Sequence, residues 1–363
     1  MRGYIVETQK LEHNLSILKE KAAGTVIWGV VKGNGYGLGA DKLSLLLWQQ
    51  GIRHFAVTTV KEALSLRQAG LEEAAILMLR ASADVQELRE LVKLGVICTV
   101  GSHADAQALE TVAKEARVVA QAHVKLDTGM GRFGFLSHET DAVARLYTDY
   151  PHIHFTGIYT HFHSGSNRDE TGWQFALFTA QVDLLRAMGI DVGMMHCCNS
   201  LAFWNFPHMH LDAVRLGSCI LGRVGYAGRA GLQPVGYAQA EVESLKTLPK
   251  GHNVGYSRGC RLKRQTTVAI VGIGYIHGFS VERGYDVFRA KDCLRSMARY
   301  LKYLLKGRRL TVEIGGRLCP VLGHVGMVNM AVDVTDIPCA LHDPVKVAIN
   351  PLDLKELDIL YLP

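Results

Sequence analysis

Along the first two thirds of the chain, short runs of β-branched and apolar residues alternate with stretches whose apolar positions recur every three to four residues. The runs near Val26–Val31, His54–Val57, Ala75–Leu79, Val96–Val100, Val118–Leu126, His154–Thr160, Met194–Cys197 and Leu211–Arg215 predict strands. Amphipathic stretches between them, such as Lys42–Gln50, Lys61–Ala69, Val85–Lys93, Ala104–Glu115 and Gly172–Met188, predict helices. This is the pattern of βα units on a parallel sheet. Eight strands with seven or eight helices in about 225 residues fit a TIM-type (β/α)8 barrel; a doubly wound sheet more often has five or six strands.

After Gly225 the pattern changes. Glycines punctuate short alternating strands at Thr266–Ile273, Leu310–Ile314, Pro320–Leu322, Met327–Val334 and Val345–Ile349, broken by a basic amphipathic helix around Lys291–Leu305. These predict a mainly antiparallel β domain. With a linker near Ala227–Pro234, the expected organisation is a barrel domain over residues 1–230 and a β domain over 231–363.

Composition narrows the class. The 363 residues are 48% hydrophobic and 20% charged with nine prolines, which suits a core-forming chain rather than a disordered one. The net charge of +6 is scattered apart from short basic stretches around Arg258–Arg264 and Lys302–Arg309, and it suits an anionic small molecule as readily as nucleic acid. The first residues hold no apolar signal segment, and the runs near Thr267–Ile276 are too short to span a bilayer. A soluble, cytoplasmic protein is expected, with its eight dispersed cysteines reduced.

In a barrel, chemistry gathers where strands end. Lys32 and Tyr36 follow the first strand in VVKGNGYG; Lys125, Asp127 and Arg132 follow the fifth in VKLDTGMGRFGF; His161 and His163 follow the sixth. Asn199 and Ser200 follow the seventh, and Arg215, Gly217 and Ser218 the eighth. A loop lysine is ordinarily a solvated charge, but among glycines at a barrel mouth it is also a candidate Schiff-base former, because burial frees a nucleophilic amine. Hydroxyls and glycine amides after the last two strands are the usual barrel phosphate site, so the combination suggests pyridoxal phosphate (PLP). Arg215 either faces the pyridine nitrogen or anchors the barrel by an ion pair.

Other readings are weaker. Asp127-Thr128-Gly129 has the tripeptide of aspartic proteases, but no second copy supplies the paired carboxylate. Gly272, Gly274 and Gly278 have the wrong spacing for a dinucleotide fingerprint. His161-x-His163 and His208-x-His210 lack acidic or cysteine companions, so no metal is expected.

These residues resemble the bacterial alanine racemases, two-domain fold-type III PLP enzymes. The resemblance is carried by KGNGYG (Lys32–Gly37), KLDTGMGRFGF (Lys125–Phe135), THF (Thr160–Phe162), NS (Asn199–Ser200), RLG (Arg215–Gly217), GYSRG (Gly255–Gly259) and PVLGHVGMVNMAVDVTD (Pro320–Asp336), in the family's order. It implies that Lys32 holds PLP and acts as base on one face of the substrate Cα. Tyr256 is then the opposite base, supplied by the neighbouring subunit of a homodimer. Removing a proton from one face and returning one to the other needs two groups flanking the reacting carbon. A phenol near its usual pKa of about 10 also needs cationic neighbours to serve as base; Arg132 and His161 match the family residues of that network.

By the same resemblance, Tyr36, His161, Asn199, Ser200, Arg215, Gly217 and Ser218 join Lys32 in cofactor binding. Arg132, Tyr275 and Met327 contact substrate, and Lys125 matches a lysine that many members carry carbamylated. The partners implied are a small amino acid and a second copy of the chain, with no nucleic acid and no membrane. The product implied is D-alanine for peptidoglycan.

Departures bear on the substrate. The family's G-Y-A-D-G becomes Gly274-Tyr275-Ile276-His277-Gly278, and M-D-Q becomes Met327-Val328-Asn329. Serine or another amino acid therefore stays open beside alanine. The stretch 279–319 is longer than is usual in the family, and is read either as a solvated surface insertion or as an altered dimer rim or channel mouth. Tyr361 is the candidate to complete the phosphate site at the C-terminus. A PLP-dependent basic amino-acid decarboxylase is argued against by GYSRG, and a non-catalytic PLP-binding barrel by the C-terminal domain that carries Tyr256.

Overall fold

The computed structural model describes residues 2–281, 290–306 and 310–363. Residues 282–289 of the long stretch 279–319, and 307–309 of the basic stretch Lys302–Arg309, lie outside the described residues. The chain forms two compact units, one from Thr8 to Val235 and one from Gly236 onward that also takes in the first strand. That strand, β1 (Gly3–Glu7), falls within the 1–230 expected of the barrel domain, yet it pairs antiparallel with residues 236–239.

In the first unit, β2 (Val26–Val30), β3 (His54–Val57), β4 (Ala75–Ala81), β5 (Ile97–Val100) and β6 (Ala120–Asp127) run parallel. A two-residue β7 (Phe135–Leu136) hangs on β6, and β8 (Ile153–Tyr159), β9 (Met194–His196) and β10 (Ala213–Leu216) complete the ring. Pairing of β10 with β2 closes an eight-stranded barrel.

Its interior is filled by Trp28, Val30, Ala56, Leu77, Ile97 and Ala213. Side chains alternate along a strand, so each inward position predicts the next two residues on. Lys32 shares the parity of Trp28 and Val30, Arg215 that of Ala213, and Thr58 that of Ala56. Thus the apolar alternation that builds the core also delivers polar groups to the C-terminal mouth.

The second unit contains β11 (Gly236–Leu248), the hairpin β12 (Asn253–Val254) and β13 (Cys260–Arg261), β14 (Thr266–Val271), β15 (Thr311–Ile314), β16 (Arg317–Leu322), β17 (Met330–Asp333), β18 (Pro344–Val347) and β19 (Ile359–Leu362). The long β11 changes register between Val242 and Ser244, pairing with β1 and β18 over its first half and with β14 over its second. With β14, β17, β16, β15 and β18 it makes a closed antiparallel ring. Among the described residues of this unit, only β1 and β19 pair in parallel.

Candidate active site

After β2 the chain turns through Gly33, Asn34, Gly35, Tyr36 and Gly37, all with φ between 53° and 88°. Successive left-handed residues cost an L side chain about 1–2 kcal/mol each, and three glycines remove most of that cost. Asn34 accepts the Ala40 N–H at 3.0 Å through its side chain and donates its own N–H to the buried Glu62 carboxylate at 3.1 Å. The other Glu62 oxygen accepts the Thr58 and Thr59 N–H groups at 2.8 and 3.2 Å. A carboxylate below the turn therefore fixes the backbone that carries Lys32 and Tyr36.

Lys32, Lys125, Arg132, Tyr159 and His161 line a cavity of about 190 Å3 at the barrel mouth. Burial and then the neighbouring Arg132 lower the pKa of Lys32, Glu62 opposes them, and Arg215 adds a smaller lowering. Lys125 is fully buried, its Nζ has no hydrogen-bond partner, and burial with the charge of Arg215 holds it well below the ordinary lysine value. The carboxylate that acts on Lys125, Asp127, is already committed. Burial alone would raise Asp127, but its oxygens accept the N–H groups of Gly129, Met130, Gly131 and Arg132 at 2.8–3.2 Å, and these bonds hold it below the usual range.

Arg215 is not an ion-pair anchor, since among the described residues no carboxylate pairs with it. Its Nη1 donates to His196 Nδ1 at 2.7 Å, and its Nη2 to the Thr160 and Cys197 carbonyls at 2.8 and 3.1 Å and to His161 Nδ1 at 3.3 Å. A guanidinium can only donate, so His196 accepts at Nδ1 and carries its proton on Nε2, which donates to His123 Nδ1 at 2.9 Å. Burial and the charge of Arg215 keep both imidazoles neutral, His123 pushed down to about 3. His161 is likewise held well below its ordinary value, first by burial and then by Arg215.

The expected phosphate residues gather at the ends of β9 and β10. Ser200 Oγ accepts the Gly217 N–H at 3.3 Å. A Cβ at Gly217 would stand 2.2 Å from the Tyr36 hydroxyl, so only glycine allows that phenol to lie against the turn leading to Ser218. Burial pushes the Tyr36 phenol up, leaving it a hydrogen-bond donor. Asn199 is committed to structure: its Oδ1 caps the N–H groups of Leu201 and Ala202 and its Nδ2 donates to the Phe162 carbonyl. It positions Ser200.

Tyr256, Tyr275 and Met327 belong to the other unit. Tyr256 sits in a single turn after β12, 76% exposed, beside a cavity it shares with His324 and Asn329. The Tyr275 N–H donates to the Gly326 carbonyl and that of Ile276 to the Met327 carbonyl, at 3.0 and 3.1 Å. His277, which replaces the family's Asp, is buried and accepts the Gly274 N–H at 3.0 Å. Tyr275, Met327 and Val328 are exposed there, together with His324 and Asn329.

The sequence profile described as alanine racemase, N-terminal domain, matches residues 6–224, and that described as alanine racemase, C-terminal domain, residues 235–353. The chain belongs to the alanine racemase family. The alanine racemase of Sorangium cellulosum is 30% identical over 344 residues, covering 92% of this chain and 84% of the relative. That of Clostridium tetani is 29% identical over 340 residues, with 92% and 81% covered. Among solved structures, the Clostridium difficile 630 alanine racemase (24% identity, TM-score 0.81, covering 98% of this chain and 88% of that one) shares the fold. So does the biosynthetic alanine racemase from Pseudomonas aeruginosa (23%, TM-score 0.82, all of both chains).

Three residues that support the site in this racemase-family chain escape a search of strand ends. Glu62 is legible as the last residue of Thr59-Val60-Lys61-Glu62, a capping-box pattern that the structure forms. His123 and His196 sit one layer below the mouth, at positions where an imidazole reads as ordinary core. Neither His-x-His pair forms a joint site: His163 faces Glu170, and His210 Nε2 bonds the Phe203 carbonyl.

Proposed function

We infer that this chain is an alanine racemase that depends on PLP, interconverts L- and D-alanine and supplies the D-isomer for peptidoglycan. The observation that carries the reading is the cavity around Lys32. Its amine is biased toward the neutral form, with Lys125, Arg132 and Arg215 beside it and no carboxylate among the described residues that line the cavity. Such a site suits an anionic aldehyde. In this reading Lys32 holds the cofactor, Tyr36, Ser200, Gly217 and Ser218 take its phosphate, and Arg215 faces the ring nitrogen.

When bound, PLP withdraws electrons from Cα and makes its proton acidic. Lys32 removes or returns that proton on one face, and Tyr256 does so on the other. Arg215, held by neutral histidines and carbonyls, keeps its charge and gives the ring nitrogen no proton. Arg132 takes the substrate carboxylate, with Tyr275 and Met327 at the entrance. The amine of Lys125, without a hydrogen-bond partner and with its pKa lowered by burial, suits carbamylation: in the neutral form its nitrogen bonds to carbon dioxide, one proton leaves to water, and the resulting negative charge faces Arg132. Tyr256 is exposed on its own unit, which supports a homodimer in which it completes the neighbour's site.

Purified enzyme supplied with PLP should absorb near 420 nm, and the Lys32→Ala protein should not. Exchange of the Cα hydrogen with deuterium from solvent, run across a panel of amino acids, reads the substrate. Exchange of L- and D-alanine is expected. The departures at His277, Val328 and Asn329 put serine and larger amino acids in that panel as the alternatives, and exchange of such an amino acid with alanine inert would overturn the alanine assignment.

A further inference from the structure

The segment that leaves the barrel, read from sequence as a linker near Ala227–Pro234, is tied back to it. Asn14, fully buried on the helix Thr8–Ala22, donates through Nδ2 to the Ile220 and Gln233 carbonyls at 2.9 and 2.7 Å and accepts the Gln233 N–H at 2.7 Å. Between these ties the Ala230 N–H bonds the Tyr226 carbonyl at 3.0 Å, and the Tyr226 side chain is buried. Its ring stacks on Trp204 with centroids 5.1 Å apart, and Lys21 Nζ lies 4.5 Å from the centre of the Trp204 ring. Its hydroxyl donates to the Ser200 carbonyl. Cys219, fully buried, is hydrogen-bonded through its side chain to both Ser200 and Tyr226. Burial pushes the Tyr226 phenol up, so it keeps its proton. A phenol has one proton to donate, and this one is spent on Ser200 rather than free for an anion.

We propose that Tyr226 is a positioning residue of the phosphate site: it fixes Ser200 through its carbonyl and so holds the Ser200 hydroxyl, which accepts the Gly217 N–H at 3.3 Å, in place for the phosphate of PLP. The inference rests on the PLP reading above and adds to it a residue outside every strand-end motif. A binding group has to be held within about 0.5 Å of its productive position. A side chain as short as serine inherits its place from its backbone, and the Tyr226 bond is made to that backbone. Asn199 fixes the two residues that follow Ser200, and Tyr226 fixes Ser200 itself. A tyrosine that only filled the core would act on the stability of the fold and on every ligand alike. One that sets Ser200 acts on a ligand only through its phosphate.

The test is titration of the full chain, stripped of cofactor, with PLP and with pyridoxal, which lacks the phosphate, followed by absorbance near 420 nm. Tyr226→Phe keeps the ring on Trp204 and removes only the hydroxyl. It should weaken PLP about tenfold and pyridoxal less than about twofold. In a Ser200→Ala background the same change should cost PLP less than about twofold, since the hydroxyl it positions is gone. Trp204→Leu, which keeps the phenol hydroxyl but removes its stack, is the second variant; it should weaken PLP about threefold and again spare pyridoxal. Equal weakening of the two ligands by Tyr226→Phe, no weakening of either, or full additivity with Ser200→Ala overturns the proposal. Uptake of neither ligand by the wild-type chain is a different failure: it overturns the PLP reading, and the proposal with it.

Discussion

Glu62 shows how a residue outside the reacting group can set its chemistry. Its two oxygens hold Asn34, Thr58 and Thr59, and its charge opposes the lowering of the Lys32 pKa. In Glu62→Gln an amide NH2 replaces one acceptor and faces N–H donors, at a cost of about 1–3 kcal/mol in stability. The electrostatic consequence has a definite sign. Without the negative neighbour the Lys32 ammonium is less favoured, its pKa falls further, and the free amine persists to lower pH. The rate at which cofactor-free enzyme takes up PLP should therefore keep its plateau to lower pH in the variant. A limb that moves upward would show that Glu62 does not act on Lys32 by charge.

At the level of elements, the barrel was legible because eight buried parallel strands leave eight apolar runs, and all eight runs overlap observed strands. What was not legible depends on long-range pairing or weak apolar signal. The strand β1 has no local cue that it joins residues more than 200 positions away, and β11 alternates cleanly but places Gly236, Ala238 and Ala240 at inward positions. The left-handed turn after β2 reads only as glycine-rich. The barrel histidines were invisible as a linked pair because their strands meet only in the closed ring. They make a prediction at this scale. His123 titrates near its ordinary 6.5 when unfolded and about 3 when folded, so the unfolded chain binds the extra proton between those values. Its depressed pKa contributes stability that is fully present above pH 6.5 and is lost as pH falls through 3, at about 1.4 kcal/mol per pKa unit. His123→Asn keeps an acceptor for His196 but does not titrate. It should be less stable at neutral pH through the cavity it leaves, yet lose less stability on acidification, as followed by denaturant unfolding at stepped pH.

At the scale of the whole molecule, the two candidate bases lie in different compact units, and Tyr256 is exposed on its own. If each site is completed by the neighbouring subunit, a defect in one base and a defect in the other are complementary rather than additive. Lys32→Ala and Tyr256→Phe homodimers should each be nearly inactive. Mixed, unfolded together and refolded, they form heterodimers in which the Tyr256→Phe chain supplies an intact Lys32 and the Lys32→Ala chain an intact Tyr256. One of two sites is then native and the other lacks both bases. A random equal mixture is half heterodimer, so recovered activity should approach about a quarter of wild type. If each chain instead built its whole site from its own residues, no heterodimer would hold an intact one and mixing would restore nothing. The readout thus separates a shared site from a self-contained one, independently of which amino acid the enzyme racemises fastest.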